Sequence, residues 1–129
     1  MRSILLVLSF GAVVVLSGCD ADRARVEMNA GQRFVPEMLV VEAGEEVAFN
    51  NTSDEAHSVT AYEDGIPEET EYFASGGFTT EAEARANVAR SLLTPGEGFS
   101  VTFTEEGTYR YFCIPHEDQR MVGRIVVEG

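Results

Sequence analysis

Apolar positions fall into two regimes along the 129-residue chain. From Ile4 to Leu16 they form an almost unbroken run, preceded by the positive charge of Arg2 and followed by the acidic Asp20 and Asp22. The run is shorter than the ~20 residues a helix needs to cross a bilayer, and residues 1–18 have the layout of an export signal. Further on, apolar residues come in short groups. Residues 46–50, 57–62, 99–104 and 108–113 alternate, 34–41 is β-branched and apolar, and 121–127 closes the chain with Ile125 and Val127 on one face. Period-two alternation between Gly, Asn and Asp turns predicts strands, with Pro36 at an edge or bulge. A helix is predicted from Thr80, which forms a capping box with Glu83. Ala82, Ala86, Ala89 and Leu93 make its apolar stripe, and Thr94-Pro95-Gly96 stops it. Seven or so short strands and one short helix describe an all-β sandwich better than an α/β fold. The division expected is a signal over 1–18, a polar tether over 19–25 and one β domain over 26–129.

Charge narrows the partners. Asp and Glu number 22 against nine Arg and no Lys, a net charge of −13. Nucleic acid and anionic lipid headgroups suit such a surface poorly, and a basic protein face suits it well. Cysteine narrows the chemistry, because the chain has two, Cys19 and Cys113. Leu16-Ser17-Gly18-Cys19 resembles a lipoprotein cleavage box, in which the cysteine becomes the first mature residue and carries a diacylglyceryl thioether. More than one acyl chain gives stable membrane anchoring. The competing reading is plain cleavage that leaves an exposed thiol, a liability in an oxidising compartment. With Cys19 lipidated no internal disulfide can form, and the unpaired Cys113 needs another reason to exist.

That reason lies in 107–127, GTYRYFCIPHEDQRMVGRIVV. Tyr109, Tyr111 and Cys113 share one strand face, which their bulk marks as the core face. Pro115 ends the strand, and His116 and Met121 follow Cys113 as C-x₂-H-x₄-M. The other histidine, His57, opens a strand after a polar loop. One thiolate, two imidazoles and one thioether are the donors of a trigonal His₂Cys copper site with a weak axial Met. Thiolate and thioether favour Cu(I), and imidazole accepts both oxidation states. Four ligands leave no open position for a substrate. Taken singly, each residue has a plainer reading: Cys113 as a small core hydrophobe, His116 as a loop residue, Met121 as core, His57 as a strand end.

The sequence resembles the plastocyanin-like cupredoxins, and among them the membrane-attached halocyanins and similar lipoprotein copper proteins. The matching stretches are Phe34-Val-Pro-Glu37, Gly44 to Asn51, the step from Phe49 to His57, Gly107-Thr-Tyr109 to His116, and Met121 to Val126. The resemblance implies a Greek-key β-sandwich of eight strands. It also implies one copper ion cycling between Cu(I) and Cu(II), with His57 Nδ1, Cys113 sulfur and His116 Nδ1 near one plane and Met121 axial. Ser58 stands where these proteins commonly have Asn tying the ligand loops together, and can still hydrogen-bond across. Arg120, Glu117 and Asp118 bring charge near the exposed edge of His116.

The function expected is a non-enzymatic one-electron carrier, exported and lipid-anchored at the periplasmic or extracytoplasmic face of a membrane. His116 would be the exit and Tyr111 a second route. Partners expected are redox proteins with basic docking faces: a membrane quinol-oxidising complex or c-type cytochrome, and a terminal oxidase or photosynthetic centre. The carrier itself is expected to be a monomer. The alternative is an extracytoplasmic copper carrier or chaperone, although only Met28 and Met38 remain as spare soft ligands. A copper oxidase or nitrite reductase would need more His than the chain has, and a metal-free adhesive sandwich stays open.

Overall fold

The computed structural model describes residues 23–129, so the export signal, the 16–19 box with Cys19 and the start of the tether lie outside the described residues. Eight strands form two four-stranded sheets. They are β1 Arg25–Met28, β2 Phe34–Val35, β3 Met38–Glu42, β4 Glu45–Asn51, β5 Thr60–Ala61, β6 Gly98–Phe103, β7 Gly107–Phe112 and β8 Val122–Glu128. One sheet runs β2-β1-β4-β6 and the other β3-β8-β7-β5. β1 lies parallel to β4 and β3 parallel to β8, while the remaining neighbours are antiparallel. The expected all-β cupredoxin-like sandwich with short helical segments between strands is the fold observed.

Alternation explains what fills the space between the sheets. Val26 and Met28 of β1, Val47 and Phe49 of β4, Tyr109 and Tyr111 of β7, and Ile125 and Val127 of β8 all point inward and are buried. Tyr111 is the centre of this core. Phe34 and Phe49 meet its ring edge-on, with centroids at 4.8 and 5.3 Å. Its hydroxyl is buried without a hydrogen-bond partner, and burial holds the phenol well above its ordinary range. An unpartnered buried hydroxyl costs rather than contributes stability. Tyr111→Phe is therefore expected to leave the urea midpoint unchanged or raise stability by up to about 1 kcal/mol. A clear loss of stability would show an unseen role for the hydroxyl.

Three elements differ from the pattern-based expectation. The run 34–41 is not one strand. It breaks at Pro36, where the chain leaves the edge of one sheet (β2) and enters the edge of the other (β3). Proline has no N–H for a ladder, which suits this crossing. The helix is also two short pieces, α1 Glu81–Ala86 and α2 Val88–Ser91. Thr80 does cap α1, its hydroxyl accepting the Glu83 N–H at 3.1 Å. At Asn87, however, the backbone leaves helical geometry, while its side-chain amide donates to the Glu83 carbonyl at 2.8 Å. The inward residues are consequently Ala84 and Ser91, while Ala82, Ala86 and Ala89 face solvent. Finally, residues 57–62 pair with β7 only over β5. The N–H groups of Ser58 and Val59 are taken by the Cys113 sulfur and the Ser75 hydroxyl instead. His57 forms an isolated bridge with Leu93.

Candidate metal centre

Cys113 follows the last residue of β7 and begins a 3-10 turn, Ile114–Gln119, with Pro115 in its first positions. The turn closes at Arg120, whose left-handed backbone (φ 61°) sends the chain back toward its start. Cys113 N–H then donates to the Met121 carbonyl at 3.0 Å, and Met121 N–H to the His116 carbonyl at 3.1 Å. The loop is thus tied into a ring that holds Cys113, His116 and Met121 at one end of the sandwich. His57 reaches the same end from the other sequence region, held by two backbone bonds to Leu93 at 3.1 and 2.7 Å.

The three strongest donors converge. His57 Nδ1 and His116 Nδ1 are 3.2 Å apart, and the Cys113 sulfur lies 3.8 Å from the first and 3.3 Å from the second. A point equidistant from these atoms is about 2.0 Å from each, against metal–ligand distances of ~2.0–2.1 Å for imidazole nitrogen and ~2.3 Å for thiolate. The triangle is therefore the size of a trigonal metal site. Among the described residues this trio is the group found able to hold a metal ion. Cys113, His57 and the thioether-bearing Met121 are buried, and His116 is half-buried.

Neighbouring polar groups set the protonation each donor needs. The Ser53 hydroxyl donates to Asn51 Oδ1 at 2.7 Å, so at 2.9 Å from His57 Nε2 it accepts that nitrogen's proton. This fixes the tautomer and leaves Nδ1 free to face the metal. Asn51 in turn anchors the loop, its amide donating to the carbonyls of Glu55 at 2.7 Å and Leu93 at 2.9 Å. Ser58 joins the two ligand loops twice. Its N–H points at the Cys113 sulfur at 3.3 Å, and its hydroxyl accepts the Ile114 N–H at 2.8 Å. The cross-link expected of Ser58 is thus made despite its short side chain.

Burial, followed by the adjacent His116, lowers His57 below its ordinary 6.5. In the metal-free protein the unfolded chain therefore binds a proton below pH 6.5 that the folded chain refuses, and this contribution to stability is lost as the pH falls. Ring NMR of the metal-free protein is expected to place the His57 midpoint below 6.5, and a midpoint at or above that value would contradict the burial seen here. Burial also pushes the Cys113 thiol up, opposed by the Ser58 and His116 N–H groups. Metal binding must displace that proton, so affinity should rise with pH.

Asn51, Ser53 and Glu55 carry weight that the ligand pattern gave no sign of. Their signal was the polar stretch Asn51-Thr-Ser53-Asp, a sequence suited to side-chain–backbone turns. Glu117 is gripped by Arg85 at 2.6 Å and by the Tyr62 hydroxyl at 3.3 Å. The acid at the outer edge of His116 is Glu55, 3.6 Å from Nε2. Tyr111 is in the core. The residue between it and Cys113, Phe112, stacks on Tyr62 at 4.3 Å with the Arg85 guanidinium over its ring.

The sequence pattern of the copper-binding proteins of the plastocyanin/azurin family matches residues 21–128. This chain belongs to that family. A plastocyanin of Sambucus nigra is 36% identical over 94 residues, covering 73% of this chain and 86% of its own. The chloroplastic plastocyanin of Silene latifolia subsp. alba is 33% identical over 126 residues, covering 95% and 70%. A mutant fern plastocyanin of known oxidized and reduced structure overlays 81% of this chain and all of its own, at TM-score 0.57 and 25% identity. The cupredoxin site geometry and this kinship agree on a mononuclear copper-binding protein with no enzymatic role.

Proposed function

We propose that this cupredoxin carries single electrons on one copper ion held by His57, Cys113 and His116, with Met121 as a weak axial ligand. The observation that carries the reading is the metal-sized triangle of two Nδ1 atoms and one sulfur. Bound copper supplies the Cu(I)/Cu(II) couple. The chain's part is to hold the donors still. Ser58 bridges the two ligand loops, the Cys113–Met121 and Met121–His116 backbone bonds brace the third side, and Ser53 fixes the His57 ring. Donors so braced suit both oxidation states without large rearrangement, which favours rapid transfer.

The setting proposed is a membrane face outside the cytoplasm, in the manner of halocyanin-type lipoproteins. The apolar 4–16 run and the Leu16-Ser-Gly-Cys19 box support it, with Cys19 as the lipid-bearing residue and a short tether to Arg25, where β1 begins. The net charge of −13 favours redox partners with basic faces. Quinol-oxidising complexes or c-type cytochromes as donors, and terminal oxidases or photosynthetic centres as acceptors, are the classes that fit. Mass spectrometry of the mature N-terminus tests the anchor, with a diacylglyceryl mass on Cys19 expected and a free thiol opposed to it.

A second reading, an extracytoplasmic copper carrier, draws on the one ligand that is not fully buried, His116. Copper retention separates the two. Cu-loaded protein cycled through repeated reduction and oxidation beside a strong chelator should keep its copper if it is an electron carrier. Loss of the ion within a few cycles would favour the copper carrier.

A further inference from the structure

The outer nitrogen of the more exposed histidine has a neighbour that copper ligation does not require. Because Nδ1 of His116 faces the site, Nε2 points outward, and Glu55 Oε2 lies 3.6 Å from it. The same carboxylate oxygen accepts the Gln32 side-chain amide at 3.1 Å. Glu55 is held there by its backbone. Its carbonyl accepts from the Asn51 amide at 2.7 Å, and its N–H donates to the Ser53 hydroxyl oxygen at 3.2 Å. The network that orients His57 therefore also sets the acid over His116. We propose that Glu55 controls the electron-exit edge, bracing the outer side of His116, lowering the copper potential, and favouring partners that present a cationic group there.

Three features support this reading, which rests on the electron-carrier function proposed above. First, the Glu55 charge is not neutralised by an arginine among the described residues, whereas Glu117 is paired with Arg85. Arg33, beside the Gln32 that bonds Glu55, turns its guanidinium to the carbonyls of Gln32 and Gln119. Second, Glu55 Oε2 lies 3.6 Å from the outer nitrogen of a ring whose other nitrogen faces the site, close enough for its charge to act on the donors. A negative potential at the donors stabilises Cu(II) over Cu(I), which lowers the reduction potential. Third, the Glu55 side chain remains 46% exposed, so one side of the carboxylate is open to an incoming charge. Solvent screening limits its size but not its sign.

The test uses the full chain loaded with copper and three variants: Glu55→Gln, Glu55→Asp and Glu128→Gln. Glu55→Gln removes the charge at nearly constant shape. Glu55→Asp keeps the charge on a shorter stem. Glu128→Gln makes the same change in net charge at the far end of β8. Glu55→Gln is expected to raise the potential. It should also lower by about threefold the ratio of transfer rates with a cationic and an anionic cobalt complex. Glu128→Gln should change neither. In the metal-free protein, Glu55→Gln and Glu55→Asp should both loosen the His116 ring by NMR relaxation. An unchanged potential and ratio in Glu55→Gln would overturn the inference, as would equal potential shifts in Glu55→Asp and Glu55→Gln. If the wild-type chain itself shows no reversible copper couple, the electron-carrier reading fails instead.

Discussion

Cys113→Ser is expected to abolish the intense visible band of the copper-loaded protein and weaken Cu(II) binding by more than ~100-fold, beyond the 10–100-fold typical of losing a supporting group. The thiolate is the only anionic donor of the trio and the only one whose charge transfer to Cu(II) absorbs strongly in the visible. A serine hydroxyl at the same place keeps its proton and leaves two neutral imidazoles. The fold should survive, because serine nearly matches cysteine in size and its oxygen can accept the Ser58 N–H that the sulfur meets at 3.3 Å. The cleanest readout is the thermal shift on adding copper. A ligand at 1,000 times its Kd adds ~4.1 kcal/mol to folding, so wild-type protein should be stabilised strongly by Cu(II) and Cys113→Ser scarcely at all. A copper-induced shift of equal size in the variant would place the ion elsewhere.

Asn51→Ala should be the most damaging single change outside the metal ligands. The Asn51 side chain makes four hydrogen bonds in a buried setting. Its amide donates to the carbonyls of Glu55 and Leu93, and its oxygen accepts from the N–H and hydroxyl of Ser53. Truncation strands these partners, each at a cost of order 1 kcal/mol, so a loss of about 3–4 kcal/mol is expected. A small domain has roughly 5–15 kcal/mol in total. The same change frees Ser53 and Glu55, which support His57 and His116, so copper affinity should fall as well. Ser53→Ala separates the two effects. It removes the acceptor from His57 Nε2 but leaves the Asn51 amide bonds intact, so affinity should drop 10–100-fold with a much smaller loss in urea stability. Equal stability losses in the two variants would contradict the network described here.

The Cys113 and His116 part of the candidate metal cluster was legible in the sequence because its information is local. Cys113, His116 and Met121 lie in one short loop, where spacing and donor type speak directly. The inward faces of β4, β7 and β8 were legible for the same reason, since alternation over six or seven residues is enough to mark a half-buried strand. What escaped depended on distant contacts. β1 is only four residues long, too short for alternation to stand out beside a polar tether, and its partners β2 and β4 come later in the chain. The alanines of the predicted helix were regularly spaced but face solvent, because the helix breaks at Asn87 and presents Ala84 and Ser91 inward. Glu117 adjoins His116 in sequence and pairs with Arg85, while Glu55 from another loop lies 3.6 Å from the outer nitrogen of the ring. Ser58, by contrast, made the link its position implied, since an N–H and a hydroxyl on one residue suffice to join two adjacent loops.

The central claim is a single blue-copper site built from His57, Cys113, His116 and Met121. Titrating the metal-free protein with Cu(II) while recording visible absorption and electron paramagnetic resonance tests it most directly. The account predicts saturation at one ion per chain, an intense thiolate-to-copper band, a narrow copper hyperfine splitting, and reversible bleaching by one electron. Weak binding, with the faint colour and wide splitting of ordinary Cu(II), would contradict it.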